Sequence, residues 1–253
     1  MTEACAVTWL ARGAAVASAL AALELIAVRR ALADDGVFAW PVLRREWPRR
    51  GLADRVLSYR GTLAVLIVQL AAALALPWLD AAAWPLFACL LIVSVRFRGS
   101  YNGGSDAMLL IVVLAVALAR SGLARAGLAY AAAQLVLSYF VSGIAKLRDP
   151  RWRAGRALAI VVRLPHYRVP PRIVAALARP RVARLAGWAM LAFECSFPLA
   201  LVSVPACVGF LAVGAAFHLA NAVSFGLNRF WWAWLAAYPA LLYAAGAISA
   251  ARR

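Results

Sequence analysis

Eight apolar runs, most of them separated by arginine-bearing stretches, constrain this chain more than any other feature. Against the about 17–25 apolar residues that cross a bilayer as a helix, they fall at Cys5–Val28, Gly61–Leu79, Ala82–Val95, Asp106–Ala119, Ala126–Ala145, Leu185–Val204, Ala206–Phe225 and Phe230–Ser249. With 66% apolar side chains and a mean hydropathy of +0.81, a soluble domain is excluded. The expected fold is all-α, a polytopic transmembrane helix bundle of about eight spans, about six to nine being compatible with the short third and fourth runs. Residues 1–253 read as a single integral membrane domain.

Two links between spans are long and polar, residues 29–60 and 147–184. Tryptophan and tyrosine interspersed with arginine in the first (Trp40, Trp47, Tyr59) mark a segment lying in the membrane interface. In the second, Asp149 and Pro150 are an N-cap and first helical residue, which predicts a short amphipathic helix to about Arg163. Pro165, Pro170 and Pro171 end it, a second short helix runs to about Arg179, and Pro180 opens the next span.

The net charge of +17 does not indicate nucleic acid, because the arginines sit between apolar runs as interfacial charge. Most of them fall on alternate loops, leaving Arg120, Arg125, Arg252 and Arg253 on the other side. The positive-inside rule then places both termini outside and the Lys146 face in the cytoplasm. Cys5, Cys89, Cys195 and Cys207 lack metal or redox spacing and read as small apolar residues. The N-terminus, with Glu3 and no basic start, does not resemble a cleavable signal peptide. The localisation expected is an integral protein of a bacterial inner membrane, with membrane lipids as its surroundings.

Ionisable side chains inside a span are costly and mark candidate sites. They are Arg12 and Glu24 in the first run, Lys146 ending the fifth, Glu194 in the sixth, and His218 with the amide Asn221 in the seventh. Asn102 and Asp106 precede the fourth. Lys146 is the single lysine among 27 basic residues; unlike arginine, lysine can lose its proton and act as a base. Tyr139, Ser142, Gly143 and Lys146 share one helical face, as do His218, Asn221 and Phe225. Plainer readings exist for each: Ser142–Gly143 as helix packing, His218 and Asn221 as an interhelical hydrogen bond, Arg12 and Glu24 neutralising one another, and Phe230, Trp231, Trp232 and Trp234 as an interfacial belt. No hydrolase, zinc-protease or nucleotide-binding motif is present, and no metal is expected.

Three stretches together, YFVSGIAKLRDPRWRAGRAL, FECSFPLALV and FHLANAVSFGLNRFWWAWLAAY, with SYNGGSDAMLL as a weaker fourth, resemble the horizontally transferred transmembrane (HTTM) domain family. That family includes the vitamin K-dependent γ-glutamyl carboxylases. The resemblance implies a quinone or hydroquinone as cofactor, with Lys146 as the base that deprotonates the reduced quinone. His218 is the second catalytic candidate, and Tyr139, Ser142, Glu194, Asn221 and Asn102 are the candidates for holding the quinone. The resemblance departs at the Asn102 turn, where Gly103, Gly104 and Ser105 stand in place of the carboxylases' assisting histidine. It also implies a reactive face outside a bacterial cell, opposite to the orientation from the arginines. Two functions stand open: a quinone-dependent oxidoreductase or carboxylase-like lyase, and a non-enzymatic accessory or peptide-maturation factor binding a lipid, peptide or membrane-protein partner.

Overall fold

The computed structural model describes residues 1–46, 51–97, 103–165, 167 and 169–252; Asn102 and Trp47 lie outside the described residues. Among these residues the regular structure is entirely helical. Four helices are long and apolar enough to cross a membrane by length and composition: Glu3–Ala27, Gly104–Arg148 taken through its break, Val204–Phe225 and Asn228–Ala251. The contacts divide the chain into two compact units, Glu3–Leu128, and Ala129–Arg253 with Met1–Thr2.

The N-terminal unit contains α1 (Glu3–Ala27), α2 (Trp40–Leu43), α3 (Leu52–Leu57), α4 (Tyr59–Ala75), α5 (Ala83–Arg96) and α6 (Gly104–Leu118). Helix α1 packs on α4 and α6, while α5 packs on both α4 and α6. The buried face of α1 is mostly alanine, including Ala11, Ala14, Ala21 and Ala22, and small side chains let apolar helices approach closely. Gln69 of α4 donates to the Ser18 carbonyl at 3.1 Å. The 29–60 link is tied down by Arg96, fully buried, which donates to the Phe38 carbonyl at 2.6 Å and lies 5.4 Å from the Trp40 ring centroid.

Arg12 and Glu24 do not neutralise each other: twelve residues of helix put them about 18 Å apart, and Arg12 lies over Trp9 at 5.1 Å. After α6 the backbone breaks at Ser121 and Gly122, the latter at φ 89°. A Cβ on Gly127 would collide with the Ala115 carbonyl and approach Ala119 N to 3.2 Å. Residues one helical turn apart on α6 therefore face Gly127, so the chain doubles back here. Glycine at Gly122 allows the left-handed turn and at Gly127 the close approach.

Helix α7 (Ala124–Arg148) continues into the C-terminal unit, followed by α8 (Pro150–Arg153), α9 (Arg156–Val161), α10 (Pro171–Leu177), α11 (Pro180–Ser196), α12 (Val204–Phe225) and α13 (Asn228–Ala251). Asp149 caps α8 as expected, accepting from Arg151 N at 2.8 Å. The single helix expected to Arg163 is instead two, because Gly155 at φ 74° turns the chain between α8 and α9. The run Leu185–Val204 is likewise interrupted: α11 ends at Ser196 and a 3-10 turn, Phe197–Leu201, follows. Pro198 has no N–H to give the Glu194 carbonyl, which accepts from Phe197 instead. Helix α12 packs on α13 and on that turn, and α8, α9 and α10 pack on α11.

Candidate functional site

Four residues of α7 on one helical face, Ser138, Tyr139, Ser142 and Lys146, line a cavity of 180 Å3 within the C-terminal unit. Glu194 closes one side and His218, Asn221, Phe230 and Trp234 line the rest. Lys146 and Glu194, 48 residues apart in sequence, meet there: the ammonium donates to both carboxylate oxygens at 2.7 Å and to Ser142 Oγ at 2.6 Å. The Lys146 side chain is 20% exposed and that of Glu194 3%, and Trp152 covers the ammonium at 5.7 Å. A buried charge is tolerated when paired and hydrogen-bonded in this way.

Gly143 makes the pairing possible. A Cβ there would stand 2.8 Å from Cys195 N and 2.9 Å from Glu194 Cβ, so α7 reaches α11 only because that position has no side chain. The Ser142–Gly143 pair serves both packing and the site.

The second polar group is a chain of three. His218 Nε2 and Tyr139 Oη are 2.8 Å apart, and Tyr139 Oη and Tyr238 Oη 3.3 Å. Gly214 of α12 leaves space for it, since a Cβ there would lie 2.7 Å from Tyr238 Oη and 3.0 Å from Tyr139 Oη. Tyr139 stacks on Phe197 at 4.0 Å and meets Phe193 edge-on. The His218 ring lies 4.9 Å from that of Trp234, which stacks with Phe230 at 5.1 Å.

Two polar atoms on this wall, His218 Nδ1 and Trp234 Nε1, are buried without a hydrogen-bond partner. Buried donors and acceptors are normally satisfied, so both atoms stand out among the polar groups of the residues that line the cavity. Trp234 Nε1 can only donate; His218 Nδ1 donates or accepts according to tautomer.

The structure thus brings together Lys146, Ser142, Glu194, Tyr139, His218 and Asn221; Asn102 lies outside the described residues. Asn221 lines the cavity one helical turn from His218, which bonds Tyr139 rather than that amide. Of the aromatic cluster expected as an interfacial belt, Trp232 is exposed, whereas Trp234 is 8% exposed and Phe230 lines the cavity, so these two do not face outward. Phe230, Trp234 and Tyr238 were missed although they recur every four residues on one face of α13. Cys89 and Cys207 are buried and Cys5 is exposed, all as free thiols. Among the described residues, no three His, Cys, Asp or Glu side chains converge.

A second, apolar cavity of 530 Å3 lies between α9, α10, α11 and α12, sharing Phe217 and Asn221 with the first. Comparison with protein-family models, with curated proteins and with solved structures gives no match to this chain.

Proposed function

We propose that this chain is a polytopic protein of about eight spans in a bacterial inner membrane, of the HTTM kind, and that it is a quinone-linked enzyme using Lys146 as base. The observation that carries the reading is the Lys146–Glu194 pair at one side of a cavity that Ser142, Tyr139, His218 and Asn221 also line. A cavity of about 150 Å3 holds a benzene ring, so 180 Å3 suits one six-membered ring bearing oxygens, between aromatic walls. A quinol bound there supplies two ionisable O–H groups and a reversible two-electron couple.

The protein's part is proton handling and orientation. While Lys146 is an ammonium it has no lone pair to offer. It becomes a base when the shared proton rests on Glu194, the carboxylate to which Nζ donates. With a quinol bound, Lys146 Nζ would accept the O–H proton while Ser142 keeps the nitrogen in place. The lining residues His218 and Asn221 would hold its oxygens, and the Tyr139–Tyr238 pair would fix the imidazole.

Quinol binding by purified protein, and quinol oxidation with dioxygen added as the electron acceptor, wild type against Lys146→Arg, test this reading. Arginine keeps the charge but cannot accept a proton, so binding survives and turnover falls by about 10²–10⁴-fold if Lys146 is the base. Undiminished turnover removes Lys146 from the chemistry. A second reading, a non-enzymatic accessory or maturation factor, is favoured by α12, of whose apolar window 17% is buried. It predicts that Lys146→Arg is silent, that no quinone co-purifies in mild detergent, and that a membrane partner does.

A further inference from the structure

The larger cavity of the C-terminal unit has a shape and an electrostatic setting of its own. Leu158 of α9 and Ile173 of α10 form one wall, Met190 and Phe193 of α11 another, and Ala220 and Phe225 of α12 the floor. Its lining on α12 runs from Val213 to Phe225, about 18 Å at 1.5 Å per residue. Spread over that length, 530 Å3 is a cross-section of about 30 Å2, against the about 10 Å diameter of a helix. A groove of that section accommodates one hydrocarbon chain along its length.

One end of the groove is polar. Asn221 and Ser224 line it near Phe225, whose ring meets Tyr167 edge-on at 5.0 Å. Tyr167 belongs to the link between α9 and α10, and on either side of that link stand Arg163, next to Val162 of the lining, and Arg172, next to Ile173. Both arginines are exposed. The sequence has no aspartate or glutamate between Asp149 and Glu194, and these two are engaged by Arg151 and Lys146. The positive charge beside the groove is therefore uncompensated locally, and guanidinium groups suit phosphate oxygens.

We propose that this groove is a binding site for an anionic phospholipid. One acyl chain lies along α12 between α9, α10 and α11, and the phosphate is held at the α9–α10 link by Arg163 and Arg172. The site adjoins the polar cavity at Phe217 and Asn221 but does not depend on its chemistry.

The test uses the full chain in lipid nanodiscs containing phosphatidylglycerol or phosphatidylcholine with a photoactivatable group on the acyl chain, followed by peptide mapping of the label. Phosphatidylglycerol is expected to label the α9–α12 lining well above phosphatidylcholine, and Arg163→Gln and Arg172→Gln to reduce that excess by about fivefold each. Ala220→Trp, which fills the groove, is expected to remove labelling of the lining and leave labelling of the exposed face of α12 at Val208. The arginine variants alter exposed side chains and keep the test valid should the tryptophan variant not fold. Equal labelling by the two lipids, or an excess that the arginine variants leave unchanged, overturns the proposal. So does displacement by a long-chain quinone of a label that shows no headgroup preference, which would make the groove a tail site for the polar cavity.

Discussion

Gly143 and Glu194 are in such close apposition that a single methyl group on the glycine would reach within 2.9 Å of the glutamate Cβ. The contact is with backbone as well, at Cys195 N, so no side-chain rotation relieves it. Gly143→Ala is expected to push α7 from α11, lengthen the Lys146–Glu194 bonds and cost about 1–3 kcal/mol. Thermal unfolding in detergent reads the stability, and loss of ligand binding in variant that still folds reads the displacement. An alanine variant with unchanged melting and binding contradicts the apposition.

The ion pair itself makes an asymmetric prediction. Lys146→Met leaves the Glu194 carboxylate, whose side chain is 3% exposed, buried without its partner, a loss of about 3–5 kcal/mol. Replacing both residues, Lys146→Met with Glu194→Leu, removes the stranded charge and is expected to recover most of that loss. A double-mutant cycle on unfolding free energy checks it; additivity of the two single changes would show that the pair is not coupled.

Tyr139→Phe deletes the hydroxyl between His218 and Tyr238 and keeps the ring stacked on Phe197. Both imidazole nitrogens would then lack a protein partner, because Nδ1 already does. The expected cost is about 1–3 kcal/mol, with a change in the His218 ring-nitrogen NMR signals that a purely packing role for Tyr139 would not produce.

Sequence reasoning reached the helices and the lysine for the same reason: both are compositional anomalies, long apolar runs in one case and a single residue type in the other. Glu194, His218 and Asn221 were found because a polar group in an apolar run stands out. Trp234 and Tyr238 did not stand out, since aromatic residues near a helix end fit a membrane interface equally well, and their burial depends on how α12 and α13 pack. The reversal at Ser121–Gly122 falls in the link expected between the fourth and fifth runs, whereas the turn at Gly155 was missed because it rests on one glycine with positive φ, which leaves no periodic trace. The pairing of Lys146 with Glu194 needed the absent side chain at Gly143, and a missing atom carries no signal in a hydropathy pattern.

Outside the spans, Asp149 supplies a pH-dependent prediction. Hydrogen bonds from the Arg151 side chain and backbone hold its carboxyl below the usual carboxylate range. A depressed folded pKa means the cap is fully stabilising above the unfolded value of about 3.9 and is lost as pH falls through the lower folded value. Hydrogen exchange at the Arg151 amide, corrected for intrinsic rates, is therefore expected to stay slow from neutral pH into the acid range and to rise only below it. In Asp149→Ala it is expected to be fast throughout, and in Asp149→Asn, whose neutral amide oxygen caps more weakly than a carboxylate, intermediate and without the acid-range rise.

The link from α8 to α9 touches α11 through bare backbone. A Cβ on Gly155 would overlap the peptide joining Ala183 to Arg184, and one on Gly187 would come to 2.9 Å from the Trp152 carbonyl. For anyone wishing to attach a reporter, these contacts rule out a stretch whose arginines make it look like a permissive surface loop. Gly209 on α12 is the better position: it is exposed, and nothing lies within 4 Å of where its side chain would begin. A cysteine for spin labelling placed there would watch the surroundings of α12 while leaving the framework of the Lys146 site undisturbed.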